Sequence, residues 1–229
     1  IQFRTLRSVY NKAIKRKCVG KEYYPFEDFH INKFNVHTDK RAISKNDVLK
    51  IISADLTGKS EYVKFSRDIF VFSYLCGGIN FCDVASLTKE NILNGRLFYV
   101  RQKTGKQINL YLTKNARAII DKYYKGGKGF LFPILDVTRH ITATQRENRL
   151  HKVLGQVDKS LKIVAQIAKV DVNLTTYVAR HSYATVLKRS GVPTSIICES
   201  LGHSSERVTQ IYLDSFENEQ IDEAMKNLL

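Results

Sequence analysis

The sequence lacks the patterns of a disulfide-bonded, zinc-binding or membrane-spanning protein. Its four cysteines (Cys18, Cys76, Cys82 and Cys198) show no CxxC and no paired spacing, and its six histidines include no HxxxH pair. We therefore expect reduced thiols and no metal site. The longest apolar stretch, around residues 69–76, is too short to cross a bilayer, and no signal peptide is recognisable. These absences predict a cytoplasmic protein.

Acidic residues are also scarce, since 22 Asp and Glu stand against 37 Lys and Arg and give a net charge of +15. Such an excess indicates a polyanionic partner, with nucleic acid ahead of a basic surface kept for solubility or for acidic protein partners. The charge is uneven: residues 1–41 carry +6, residues 42–212 carry +13 and residues 213–229 carry −4. We expect the body of the chain to face DNA and the acidic tail to avoid it.

Apolar residues make up 43% of the chain, enough for a core, and no repeat or low-complexity tract interrupts them. Ser44 with Asp47 predicts a helix start, Ser60 predicts a second, buried helix that Gly77 and Gly78 end, and Thr113 caps a third. Further helices are predicted at 150–168, 176–189, 194–201, 204–212 and 217–228. Strands at 97–101 and 107–112 predict a hairpin. The predicted fold is mostly α with a small antiparallel β-sheet.

The N-terminal residues differ from the rest of the chain. Phe3, Leu6 and Ala13 recur at helical spacing with no start signal before them, which indicates a piece of a longer chain. Residues 20–41 lose this periodicity and contain Gly20 and Pro25, so they are predicted to form a linker.

Residues 175–214 carry the most chemical information. Breaking a phosphodiester without metal requires a nucleophile, cations for the phosphate oxygens and an acid for the leaving hydroxyl. Arg180 can hold phosphate oxygens or be a solvated surface arginine. His203 follows the helix-ending Gly202, where it can donate to a phosphate or serve as a cap or buried histidine. Tyr212 lies nine residues further on, and by itself is an ordinary aromatic.

Together these residues resemble the tyrosine recombinase (phage integrase) family. The matching elements, in the family's order and spacing, are Arg180-His181-Ser182-Tyr183-Ala184-Thr185, Leu201-Gly202-His203 and Tyr212. The resemblance implies the family's catalytic-domain fold over residues 38–229. It also implies that residues 1–37 are the end of a core-binding domain plus linker. The predicted helix in residues 216–229 would be an exchange helix that docks on a neighbour in a synaptic tetramer.

The resemblance implies a mechanism on double-stranded DNA without metal, nucleotide or other cofactor. Tyr212 forms a 3′-phosphotyrosyl link while Arg180 and His203 hold the phosphate. Lys103, in the hairpin turn, protonates the 5′ oxygen, with Lys106 as the fallback. The implied role is integration or excision of a mobile element by a nucleoid-associated enzyme. A type IB topoisomerase-like enzyme and a DNA-binding relative without activity are the alternatives.

Two positions depart from the family's pattern. Asn80 replaces the family's first arginine, and Tyr177 replaces its first histidine. We hypothesise that Arg101, two residues before Lys103 and hence on the same strand face, supplies the missing charge. Arg96 is the second choice for this role. Asp83 matches an acid that orients the family's arginines, or else caps a helix, and His181 is interpreted as structural support.

Overall fold

The computed structural model describes residues 2–30, 42–127, 129–210 and 213. The chain separates into two compact units, residues 1–39 and residues 40–229. The predicted C-terminal helix, the segment 31–41 and Tyr212 lie outside the described residues.

The first unit contains helix α1 (Gln2–Lys15) followed by a 3₁₀ turn at Lys21–Tyr23. Phe26 is buried and its ring contacts the rings of Tyr10, Tyr24 and Phe29. Residues 21–29 of the expected linker are therefore a packed turn, because their aromatic side chains cover part of α1.

The second unit is mostly helical with one small antiparallel sheet, as the sequence predicts. Its helices are α2 (Lys45–Ser53), α3 (Glu61–Leu75), α4 (Phe81–Ser86), α5 (Lys114–Tyr123), α6 (Ala143–Ile167), α7 (Thr176–Arg189), α8 (Thr194–Leu201) and α9 (Glu206–Gln210). Its strands are β1 (Ile92–Leu93), β2 (Arg96–Val100) and β3 (Gln107–Tyr111). No helix among the described residues is both long and apolar enough to cross a bilayer.

Hydroxyl side chains begin most of the long helices. Ser44, Ser60 and Thr113 each accept a hydrogen bond from the backbone amide three residues later, which confirms the three predicted starts. Thr142 and Gln145 form a reciprocal capping box at the start of α6.

The sheet has the order β1-β2-β3 and is antiparallel throughout. Arg96 pairs with Tyr111 and Val100 with Gln107, so β2 begins and ends one residue earlier than predicted. The Arg101 amide donates to the Lys106 carbonyl at 2.9 Å and closes the hairpin. Strand β1 and the short α4 are too brief to produce a periodic pattern, which is why the sequence does not predict them.

Helix α3 lies at the centre of the core. It packs against α5, α6 and α7, and its Phe70 and Phe72 are fully buried. Helix α6 contributes an apolar stripe to the same core, and this stripe contains Val153, Val157 and Leu161. This packing fixes α7 and the turn between α3 and α4, the two parts of the scaffold that hold Arg180.

Candidate active site

Arg180 lies on α7 and is 2% exposed, so the alternative of a solvated surface arginine is wrong. Its Nη1 donates to the Gly78 carbonyl at 2.8 Å, and its Nη2 donates to the Leu201 carbonyl. The guanidinium is thus held between the end of α3 and the end of α8. A buried charge held this firmly is a pre-organised binding group for an anion.

Gly78 makes this close packing possible. Its φ of +63° favours glycine, and a Cβ there would lie 2.7 Å from the Cα of Arg180. The α3–α4 turn therefore approaches α7 closely enough for the Gly78 carbonyl to accept from Arg180.

Side chains of the β2–β3 hairpin also donate hydrogen bonds to backbone carbonyls at the C-terminal end of α8. Arg101 is 3% exposed, and its Nη1 donates to the Gly202 carbonyl at 2.9 Å. The Thr104 hydroxyl donates to the same carbonyl at 3.2 Å, and Lys106 Nζ donates to the His203 carbonyl at 3.4 Å. Carbonyls at a helix C-terminus carry partial negative charge, which lets these cations gather there.

His203 lies directly after this helix end and is 3% exposed. Gly202 adopts the predicted left-handed conformation, with φ of 64°, and places the imidazole between α7 and α9. The Nε2 of His203 is 2.9 Å from Arg180 Nη2, and its Nδ1 is 2.9 Å from Thr209 Oγ1.

Positive charge surrounds the imidazole. Burial, together with the charges of four neighbouring cations, lowers the pKa of His203 to about 3. These cations are Arg180, Arg101, Lys103 and Lys106, and we call them, with His203, the cationic cluster. Such a concentration of charge in a partly dry site attracts a phosphate strongly.

Lys103 is exposed at the hairpin turn, but the residues beside it are anchored. The Gln102 amide donates to Asp83 Oδ1 at 3.0 Å, and its side chain donates to Ser86 Oγ at 2.8 Å. Thr104 holds the other side of the turn on Gly202. The lysine therefore extends from a turn whose base is fixed.

Asp83 lies within α4 and is 3% exposed. It bonds the hairpin amide of Gln102 and does not cap the helix, so the capping alternative is wrong. Burial raises the pKa of Asp83, while the nearby charges of Arg101 and Arg180 lower it. Its Oδ2 has no hydrogen-bond partner among the described residues.

Asn80 and Tyr177, which we call the substituted pair, carry no charge, in contrast to the cationic cluster. Both line a cavity of about 830 Å³ together with Gln102 and residues of α6. Asn80 occupies the N-cap position of α4 without a side-chain capping bond, and Tyr177 is 41% exposed. His181 is buried and packs edge-on against the Tyr177 ring at 4.7 Å.

The structure distinguishes the two arginines proposed to replace the missing one. Arg101 reaches the cationic cluster, and its Nε has no hydrogen-bond partner among the described residues. Arg96 begins the same strand at its opposite end and donates to Asn109 Oδ1 at 2.6 Å. Five residues of strand separate them by roughly 16 Å, so Arg96 is a poor substitute.

Sequence reasoning missed Thr209 and Thr104, which hold His203 and the hairpin turn. A threonine gives no pattern of its own, and only its spacing from His203 or Lys103 offered a signal. The four cysteines are free thiols, and the described residues contain no cluster of three or more metal-ligating side chains.

Comparisons with known proteins place the chain in a family. The model of the phage integrase family matches residues 41–219. The tyrosine recombinase XerA of Pyrococcus horikoshii is 26% identical over 201 residues, which are 84% of this chain and 65% of XerA. Tyrosine recombinase XerS of Streptococcus thermophilus is 24% identical over 225 residues, which are 94% of this chain and 56% of XerS. The chain thus spans less than two thirds of the length of these curated relatives.

Solved structures show the same fold. The integrase of transposon Tn1549 in complex with circular intermediate DNA has a TM-score of 0.62 at 17% identity, covering 98% of this chain and 77% of that one. The XerA recombinase crystal structure has a TM-score of 0.58 at 16% identity, covering 81% of this chain and 64% of that one. Since the family model takes in most of the sequence, this protein belongs to the phage integrase family.

Proposed function

We propose that this chain is the catalytic part of a site-specific recombinase that breaks and rejoins double-stranded DNA through Tyr212. The observation that carries the proposal is the gathering of Arg180, Arg101 and Lys106 around His203 and the carbonyls that end α8, together with the match to the family. A cluster of like charges is costly to bury, and a scissile phosphate offsets that cost.

In the proposed reaction, the phenolic oxygen of Tyr212 gives its proton to a nearby base and attacks phosphorus, and the bond from phosphorus to the 5′ oxygen breaks. Lys103 gives a proton to that oxygen, and the product is a 3′-phosphotyrosyl link with a free 5′ hydroxyl. Arg180 holds the non-bridging oxygens throughout. A 5′ hydroxyl from a partner strand then reverses the step, so the energy of the phosphodiester is conserved.

We assign the charge of the missing first arginine to Arg101. Asn80 can donate a hydrogen bond but carries no charge, whereas Arg101 is buried beside Arg180 at the end of α8. Its Nε, which has no hydrogen-bond partner among the described residues, supplies a donor for a phosphate oxygen. Asp83 lies near enough to both arginines to help position them, with His181 supporting Tyr177.

Partners and domains follow from the same proposal. Structures similar in fold include a lambda integrase dimer on a core site and a lambda integrase tetramer on a Holliday junction. These support DNA as the substrate and assembly into a tetramer. We propose further that residues 1–37 end a core-binding domain with its linker, and that residues 216–229 dock on a neighbouring protomer. Action on a mobile element, in the cytoplasm and at the nucleoid, fits this function.

A nicked suicide duplex tests the proposal. Duplexes bound by the full protein are first selected from a random library. Each selected duplex is then nicked near its centre, so that cleavage releases a short fragment with a free 5′ hydroxyl that diffuses away and cannot rejoin. We expect a covalent protein–DNA adduct with the wild-type chain and none with Tyr212→Phe, although both bind the duplex.

The second candidate is a DNA-binding relative without strand-breaking activity, which Asn80 and Tyr177 favour. It predicts salt-sensitive binding to duplex DNA but no adduct with either chain. A type IB topoisomerase-like enzyme would form the adduct and relax supercoils without joining two partner duplexes.

A further inference from the structure

Two buried side chains hold the imidazole of His203, one at each ring nitrogen. Arg180 Nη2 lies 2.9 Å from Nε2, and Thr209 Oγ1 lies 2.9 Å from Nδ1. Thr209 is fully buried on α9. Sequence reasoning assigned Thr209 no role, and it lies only three residues before Tyr212.

The chemistry of these partners fixes the proton on the ring. A guanidinium has donors only, so the Nε2 that faces Arg180 must accept. A neutral imidazole carries one proton, which is then on Nδ1 and is donated to the Thr209 hydroxyl oxygen. The ring is neutral near pH 7 because burial lowers the pKa of His203.

We propose that Thr209 is a positioning residue that holds His203 in its Nδ1–H form, with the Nε2 lone pair turned toward Arg180. Arg180 decides which ring nitrogen lacks the proton, and the Thr209 hydroxyl accepts from the other nitrogen and fixes the ring orientation, as the partner groups of metal-bound histidines do. The sequence expectation that His203 donates directly to a phosphate oxygen then requires that Nε2 first gain a proton.

The consequence for catalysis rests on the proposed function. When a phosphate draws the Nη2 of Arg180 to itself, Nε2 becomes available as a proton acceptor. The phenolic O–H of Tyr212 breaks as its oxygen bonds to phosphorus, and the proton passes to Nε2. The resulting Nε2–H donates to a phosphate oxygen, while Lys103 protonates the departing 5′ oxygen. In the reverse step, both protons return.

Two variants test the proposal, with ¹⁵N NMR of the histidine rings and cleavage of the suicide duplex as readouts. The His203 signals are identified by their loss in His203→Gln. We expect the Nδ1–H form in the wild-type chain and in Thr209→Ser, which keeps the hydroxyl. Thr209→Val removes the acceptor that fixes the ring orientation, so the imidazole can turn over and present either nitrogen to Arg180; we expect a mixture of tautomers and cleavage slower by about 10- to 100-fold.

The readouts separate positioning from a structural role. An Nε2–H ring in the wild-type chain would overturn the proposal before any variant is made, so the test does not depend on Thr209→Val folding. Slow cleavage by Thr209→Val with an unchanged tautomer would also overturn it, since the threonine would then matter only for packing. If the wild-type chain forms no adduct but the tautomers behave as expected, the proposed function fails and the assignment of the ring proton stands.

Discussion

The cationic cluster and the substituted pair differ in charge and in their surroundings. In the cluster, Arg180 and His203 are buried and hydrogen-bonded at the end of α8. Asn80 and Tyr177 line a large, mostly apolar cavity and bring no charge. On our proposal, Arg101 at the base of the hairpin turn supplies the positive charge that Asn80 in the α3–α4 turn lacks.

The largest expected effect comes from removing the centre of the cluster. Arg180→Ala should slow adduct formation by about 1,000-fold or more, since it deletes a buried donor to the phosphate. Arg180→Lys keeps the charge but lacks the planar guanidinium, so its rate of adduct formation should lie between those of the wild-type chain and Arg180→Ala. Arg117→Ala, which alters an exposed ion pair with Asp121, is the matched control. Rates are measured on the suicide duplex, and equal rates for the Arg180 and Arg117 variants would exclude the cluster from catalysis.

A DNA duplex with sulfur in place of the 5′-bridging oxygen tests whether Lys103 acts as the general acid. Lys103→Ala should slow cleavage of an ordinary duplex by about 100-fold or more, because the 5′ oxygen leaves unprotonated. A duplex with sulfur at the 5′-bridging position needs no acid, so wild-type and variant rates should converge on it. Lys106→Ala is the comparison. If it alone shows this rescue, the fallback assignment replaces Lys103.

The two candidate arginines, Arg96 at the start of β2 and Arg101 directly after its end, provide the next test. Arg101→Ala should slow cleavage by about 100-fold with duplex binding mostly retained, since one phosphate cation is lost. Arg96→Ala, at the other end of the strand, should change the rate little because its guanidinium bonds Asn109. Unchanged cleavage by Arg101→Ala would remove the hypothesis of compensation.

A cation introduced at Asn80 tests whether positive charge in the α3–α4 turn can replace that of Arg101. In the Arg101→Ala background, Asn80→Arg should recover about 10-fold in cleavage rate, because it returns a cation to the turn that holds Arg180. A parallel Asn80→Gln change adds length without charge and should recover nothing. Equal recovery by both would show that charge is not the missing property.

The smallest effect is on stability. With a folded pKa of about 3 against an ordinary 6.5, His203 stays neutral in the folded chain while the unfolded chain takes up a proton. The free energy of unfolding should therefore fall as pH drops from 6.5 toward 3, by at most about 1.4 kcal/mol per pH unit. His203→Gln should flatten that slope in denaturant titrations. An equal slope in both chains would contradict the buried, neutral imidazole.

Local signals were sufficient for much of the fold. Hydroxyl caps such as Ser44 and Ser60 predict where a helix begins, and the apolar stripe of α6 predicts a helix by its periodicity. Both signals can be read from the sequence because they depend on residues close together in the chain. The brief β1 and α4 carry no such signal. They exist because longer elements pack around them.

The sequence supplied candidate members of the site but not the contacts among them. The resemblance to the family proposed Arg180, His203 and Lys103 as candidates, and strand alternation proposed Arg101. The burial of Arg180 depends on Gly78, about a hundred residues away along the chain, and the ring orientation of His203 depends on Thr209. Such contacts are set by tertiary packing, which a periodic pattern does not encode.

The most direct test of the central claim is a crystal structure of Tyr212→Phe bound to an uncleaved selected duplex. The account predicts that the phosphate at the cleavage site lies about 3 Å from guanidinium nitrogens of both Arg180 and Arg101. A phosphate resting against Asn80 and Tyr177, with Arg101 still bonded only to the Gly202 carbonyl, would contradict it.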